Sequence, residues 1–128
     1  MINCVFDIEG FFRSVISQDS DHLKEFFCSD AKIFWHCTNE CFTLSEYIKA
    51  NCEYPGSWNG ELERVVCTED TVIAAAHVYS DGGEISCHVS SFLQISGGMI
   101  SRMDEYWGDD GEPPAWRKDM NIGVPIIK

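Results

Sequence analysis

Basic residues are scarce in this sequence. Nine Lys and Arg stand against 21 Asp and Glu, a formal net charge of −12 over 128 residues. A surface of that sign repels phosphate backbones and anionic lipid, which excludes nucleic acid and membrane surfaces as partners. Long apolar runs are missing too: no stretch approaches the roughly 18 residues needed to cross a bilayer. The opening MINCVFDIEGFFRSV has acids early and no basic leader, so no signal peptide is expected and the cytoplasm is the expected compartment. HCTNEC (His36–Cys41) offers a His and two Cys, but no CxxC or HxxxH follows to complete a four-ligand zinc site. No metal and no other cofactor is expected; reduced cysteines on a hairpin are the reading of that stretch. The seven cysteines are odd in number, and with no export signal they are expected to be reduced thiols with no disulfide. No internal repeat, low-complexity tract or linker breaks the chain.

What is present suffices for one domain spanning 1–128. Apolar residues make up 45%, and a domain of this size hides roughly two thirds of the surface its unfolded chain exposes. Val5, Ile8, Phe12, Val15 and Ile16 recur at helical spacing over Val5–Ser17, with Phe6 and Phe11 widening the stripe. DHLKEFF places Leu23, Phe26 and Phe27 on one face of a short second helix. AKIFWHCT is β-branched and aromatic, hence a strand; TNE turns it and CFT returns. Thr43 followed by Glu46 is a capping box, opening a third helix, LSEYIKANCE, that Pro55 and Gly56 close.

The remainder reads as sheet: ELERVVCT, TVIAAAHVYS, EISCHVSSFLQI and MISRMDEYW, the last two entered through the turns SDGG and SGG. The tail after Trp107 reads as a loop of solvated acids, with PPAW folding Trp116 back onto the body. Helices gathered before an antiparallel meander imply an α+β fold, a curved sheet wrapped around the first helix as a cone open at one end.

The turns set the register. With SDGG as the loop, Tyr79 faces Glu84, Val78 faces Ile85 and Ala76 faces Cys87. With SGG as a three-residue loop, Ile95 faces Met99, Ser91 faces Met103 and Val89 faces Glu105. Alternation then gathers Val72, Ala74, Ala76, Val78, Ile85, Cys87, Val89, Ser91, Leu93, Ile95, Ser101, Met103, Glu105 and Trp107 on one face. That face is nearly all apolar and should be concave. Glu105 is its one carboxylate, and a lone ionisable group on a dry wall is a candidate catalytic residue with a raised pKa. A slip of one residue would exchange it for Asp104. The opposite face carries His77 and His88, near each other but not directly opposed, with Phe92 and Tyr106. Its apolar area suggests a homodimer through the outer sheet.

The element order, the SDAKIFWH segment and the ending GGMISRMDEYWGDDG resemble the nuclear transport factor 2-like (SnoaL-like) superfamily, which has the cystatin-like cone fold. ANCEYPGSWNGELERV and DEYWGDDGEPPAWR resemble signatures of an uncharacterised bacterial subgroup of it. The resemblance implies a hydrophobic pocket inside the cone. It places Trp35 where ketosteroid isomerases carry their carboxylate base, and Phe11 and Ser91 where they carry the tyrosine and aspartic acid of the oxyanion hole. None of those three groups is kept. Glu105 falls near one carboxylate of the epoxide hydrolases, with Met103 where their arginine is sought. Substrate-binding residues are expected to be Trp35, Trp58 and Trp107 as walls, Met103 as filler, Tyr54 as rim, and Phe11 and Ser91 by position. Three readings stay open: an isomerase, cyclase, dehydratase or hydrolase acting on a small apolar substrate through Glu105, a binding module without chemistry, or a protein-interaction domain.

Overall fold

The computed structural model describes residues 4–127; the part of the leader reading that rests on Met1–Asn3 lies outside the described residues. Three helices precede most of the sheet: α1 (Ile8–Ser17), α2 (Ser20–Leu23) and, after strands β1 (Phe27–Trp35) and β2 (Glu40–Thr43), α3 (Leu44–Cys52). A meander follows, β3 (Trp58–Cys67), β4 (Thr71–Ser80), β5 (Ser86–Ser96) and β6 (Met99–Asp109), and a short α4 (Ala115–Lys118). The strand order is β2-β1-β6-β5-β4-β3. β1 and β6 run parallel and the other neighbours antiparallel, an α+β architecture with a mostly antiparallel sheet. No helix among the described residues is long and apolar enough to cross a membrane.

The Asp7 carboxylate accepts from the Gly10 amide and caps α1, so the helix starts at Ile8 and Val5, placed on the stripe above, is exposed. Phe27 does not continue the second helix. A single 3-10 turn, Lys24–Phe26, ends that helix, and Phe27 pairs with Ile100 as the first residue of β1. Strand pairing overrides the local helical spacing there. The Thr43–Glu46 capping box is present in full at the start of α3. α1 lies against β3 at Gly60, where an added Cβ would come within 2.8 Å of the Phe12 ring and 2.9 Å of Ile16. A side chain at that position would force the Phe12 and Ile16 side chains to shift.

Val72, Ala74, Ala76, Val78, Cys87, Val89, Ser91, Leu93, Met103 and Glu105 are all buried, so the concave face is the one expected. The turns that build it differ. The first hairpin closes at Ser80 and Ile85, leaving Asp81–Glu84 as the loop. Tyr79 therefore faces Ser86 rather than Glu84, and Val78 faces Cys87. The shift is two residues, so every side chain keeps its face. It also sets His77 directly opposite His88, which corrects the offset placement.

The second hairpin closes at Ser96 and Met99 with Gly97 and Gly98 both at positive φ, 59° and 82°. A two-residue turn of this kind would put Asp104 inside. A bulge where Gln94 meets Arg102 and Ile95 meets Ile100 absorbs Ser101 and restores the parity. Ile100, not Ser101, is thus the buried residue at that end.

Two further expectations are overturned. Cys4 and Cys67 form a disulfide, with their Cα atoms 5.8 Å apart. The fold brings the segment before α1 to the end of β3 within bridging distance, and a count of cysteines cannot register such proximity. The bond removes the support that the cysteine count gave to a reducing compartment. Trp116 is not folded back: it is 64% exposed, because α4 is one turn long and presents it beside Arg117.

Candidate functional site

The open end of the cone holds a cavity of about 550 Å³, within the range of roughly 300–1,000 Å³ typical of small-molecule sites. Trp35 enters from the end of β1, Trp107 from β6, Trp58 from the start of β3, and Tyr54 from the turn after α3. Val15, Ile16, Val78 and Ile85 complete its apolar wall. Several polar groups around it are tied to the protein itself. Gln18 Nε2 donates to the carbonyls of Asn51 (3.0 Å) and Tyr54 (2.8 Å), Asn51 Nδ2 donates to the Val15 carbonyl (3.2 Å), and the Trp58 indole donates to the Pro55 carbonyl (3.2 Å). The two carboxylates that border the space, Glu40 and Asp109, belong to exposed residues.

Glu105 lies inside the cone, buried, as the alternation required. Its surroundings follow from the register. On the parallel neighbour its partner is Trp35, on the antiparallel neighbour Ser91, and two residues along its own strand is Trp107. Residues in those relations share a face, and each brings a donor. The Trp35 and Trp107 indoles donate to Oε1 at 3.1 and 3.3 Å, and the Ser91 hydroxyl donates to Oε2 at 2.6 Å. Burial raises the Glu105 pKa above its ordinary value, and the bonds from Ser91, Trp107 and Trp35 moderate the rise. Burial also raises the hydroxyl of Tyr47 well above its usual range, with the Glu105 charge adding to the effect. Tyr47 packs edge-on to Trp35, ring centroids 6.2 Å apart.

Of the residues expected at the site, Trp35, Trp58, Tyr54 and Trp107 meet around the cavity. Glu105 is not among the residues bordering it; it holds the two indoles that are. Ser91 serves Glu105, while Met103 and Phe11, 0% and 3% exposed, belong to the core cluster beneath. The sequence reading missed Val15, Ile16 and Val78 as wall residues, taking them for ordinary core. The signal was there in part, since both the α1 stripe and the β4 face end at the cone's open side. Cys37, Thr38 and Glu40, from the segment weighed for zinc, border the cavity instead.

No protein-family model and no curated protein matches the sequence. Solved structures match its three-dimensional form. A candidate ketosteroid isomerase from Kribbella flavida DSM 17836 superposes with a TM-score of 0.78 at 21% identity, over 93% of this chain and 87% of that one. An NTF-2 like protein of unknown function from Burkholderia xenovorans LB400 gives 0.74 at 16%, over 92% of both chains. An LEH-like epoxide hydrolase of M. tuberculosis gives 0.64 at 11%, over 79% of both. The chain has the NTF2-like fold. At these identities the likeness establishes architecture and leaves the chemistry to the site. In this chain Trp35 borders the cavity and its indole donates to the buried Glu105.

Proposed function

We propose that the protein binds a small, largely apolar molecule, neutral or cationic, in the tryptophan-walled cavity. The observation that carries this is the cavity's make-up: indole and aliphatic walls, Glu105 holding the Trp35 and Trp107 N–H groups inward, and acids bordering the space from exposed positions. Apolar walls supply affinity with few polar demands, while Glu40, Asp109 and the net charge of −12 disfavour an anion. Titration with neutral terpenoid, steroid and aromatic-amine probes, followed by tryptophan emission, is the test. At least one class should bind, and Trp107→Ala should weaken it by about tenfold or more, the equivalent of roughly 1.4 kcal/mol. Binding that is indifferent to Trp107→Ala and to a cavity-filling Val15→Phe would place the ligand elsewhere.

One observation favours a second reading, in which the pocket also performs chemistry. Burial moves the pKa of Glu105 upward, the direction that favours a carboxyl able to exchange a proton with a ligand. Both its oxygens already accept hydrogen bonds, so a proton could reach a ligand only after an indole turned aside. Turnover of a bound probe that Glu105→Gln abolishes without loss of binding would support this reading.

The outer sheet face, where Phe92 and Tyr106 are 39% and 46% exposed, is proposed as the seat of a second copy of the chain. Light scattering should give twice the chain mass, and Tyr106→Lys should return the monomer. A wild-type monomer at micromolar concentration would remove the proposal.

A further inference from the structure

Away from the cavity, on the opposite face of the sheet, four strands bring histidines and carboxylates together. His77 on β4 and His88 on β5 are a directly opposed cross-strand pair. Their rings stack 4.7 Å apart and within 11° of parallel. Each ring turns one nitrogen toward the same group, the carboxylate of Asp110, which follows β6. His88 Nδ1 is 2.5 Å from Oδ1, and His77 Nε2 is 3.6 Å from Oδ2. One ligand atom from each of the three residues falls in a single group, all within 4.8 Å of one another.

The far nitrogens are the more telling half. His77 Nδ1 lies 3.4 Å from Oε2 of Glu61, and His88 Nε2 lies 3.5 Å from Oε1 of Glu63, both from β3. Each imidazole therefore has a carboxylate beside its far nitrogen, while its near nitrogen donates within the cluster, His88 Nδ1 to Asp110 Oδ1 and His77 Nε2 to Ser86 Oγ. A metal ion would displace those two protons. Metal-binding histidines have that arrangement: the outer carboxylate fixes the tautomer and ring orientation and raises ligand basicity. The Ser86 hydroxyl, 2.8 Å from His77 Nε2, donates to Asp110 Oδ2 at 2.5 Å and steadies the third ligand.

We infer that His77, His88 and Asp110 form a binding site for one divalent transition-metal ion, with Glu61 and Glu63 as the outer carboxylates. Two imidazole nitrogens and one carboxylate oxygen suit zinc, copper or nickel, whereas calcium and magnesium favour sites built of oxygen. Bonds of about 2.0–2.1 Å in tetrahedral geometry set ligand atoms about 3.3 Å apart. The ligand atoms lie within 4.8 Å of one another on partly exposed side chains, which would adjust to hold the ion. Water would complete the ion's coordination, and the ion would tie the end of β6 to β4 and β5. The inference does not depend on how the cavity functions, and every group belongs to one chain. It also departs from the sequence reading, which weighed zinc at His36–Cys41 and expected no metal.

The test uses tag-free, oxidised full-length protein in chelator-free buffer. Titration with zinc chloride followed by calorimetry should give one ion per chain. His88→Ala and Asp110→Asn should each weaken it by tenfold or more, and Glu61→Gln with Glu63→Gln by about 10- to 100-fold. The cobalt-substituted protein should show ligand-field absorption without a thiolate charge-transfer band. Absence of saturable zinc binding by the wild type would overturn the site. So would binding that persists in the His77→Ala, His88→Ala double variant, or a thiolate band, either of which would assign the metal to cysteine. Thermal melts of the ion-free variants, with midpoints near that of the wild type, establish that they are folded.

Discussion

Melting with and without reductant will differ by roughly 10–15 °C, the reduced chain being the less stable. Cys4 and Cys67 are 63 residues apart in sequence, and closing a loop of that length removes about 4 kcal/mol of chain entropy from the unfolded state. The native side of the balance points the same way. Both cysteines pack against the main core cluster, and the bond anchors the approach to α1, where Phe6 before the helix and Phe11 on it are buried. Cys4→Ser should reproduce the fall, and reductant should then produce no further loss. Equal midpoints for oxidised and reduced protein, with both thiols reactive in the folded chain, would show that the bond does not form.

Glu105→Ala will lower stability by about 3 kcal/mol, while Glu105→Gln will leave it unchanged or raise it at neutral pH. The alanine variant strands two indole N–H groups and a hydroxyl in a dry interior, each at about 1–3 kcal/mol, with partial relief from removing a desolvated charge. Glutamine keeps the shape. Its carbonyl can accept from Trp35 and Trp107, and its amide can donate to Ser91 once that hydroxyl rotates.

The pH dependence follows from the raised pKa of Glu105. A carboxyl whose folded pKa lies above the unfolded value contributes its full stabilisation below the ordinary value near 4.5, and that contribution is lost as pH rises through the folded pKa. Asp104 and Asp110 act in the opposite sense. The pKa of Asp104 is held down by Arg102 and then His36, and that of Asp110 by Ser86 and then His88. The useful quantity is therefore the difference between wild type and Glu105→Gln, measured from about pH 4 to about pH 8. It should move against the wild type with rising pH. A flat difference would mean that Glu105 is not desolvated. Indole emission adds a second readout, because loss of the acceptor in Glu105→Ala frees both cavity tryptophans, and ligand affinity should fall with stability.

Local chemistry was legible wherever a few neighbouring residues decide the outcome. Thr43 and Glu46 announced the cap of α3 because the capping bonds span three residues. TVIAAAHVYS announced β4 to the residue, since alternation and bounding turns are local. The concave face could be listed in advance because a side chain's face depends only on parity. Glu105 was assigned to the interior correctly, yet through a loop that does not exist. The glycine pair makes a two-residue turn, and the bulge at Ser101 cancels the slip that turn would cause. No local residue pattern marks that bulge, whose effect is to set both Ile100 and Met103 inside the core.

What the sequence determined alone was the α+β cone, its dry inner face and the buried carboxylate on it, all consequences of periodicity. Only the tertiary structure decided that Trp35, Ser91 and Trp107 converge on Glu105 and screen it from the cavity, that Cys4 meets Cys67, and that His77 and His88 stack over Asp110. Each joins residues on different strands or segments, so each depends on strand order and register between distant parts of the chain. Those are set by packing of the whole core rather than by any local run of residues.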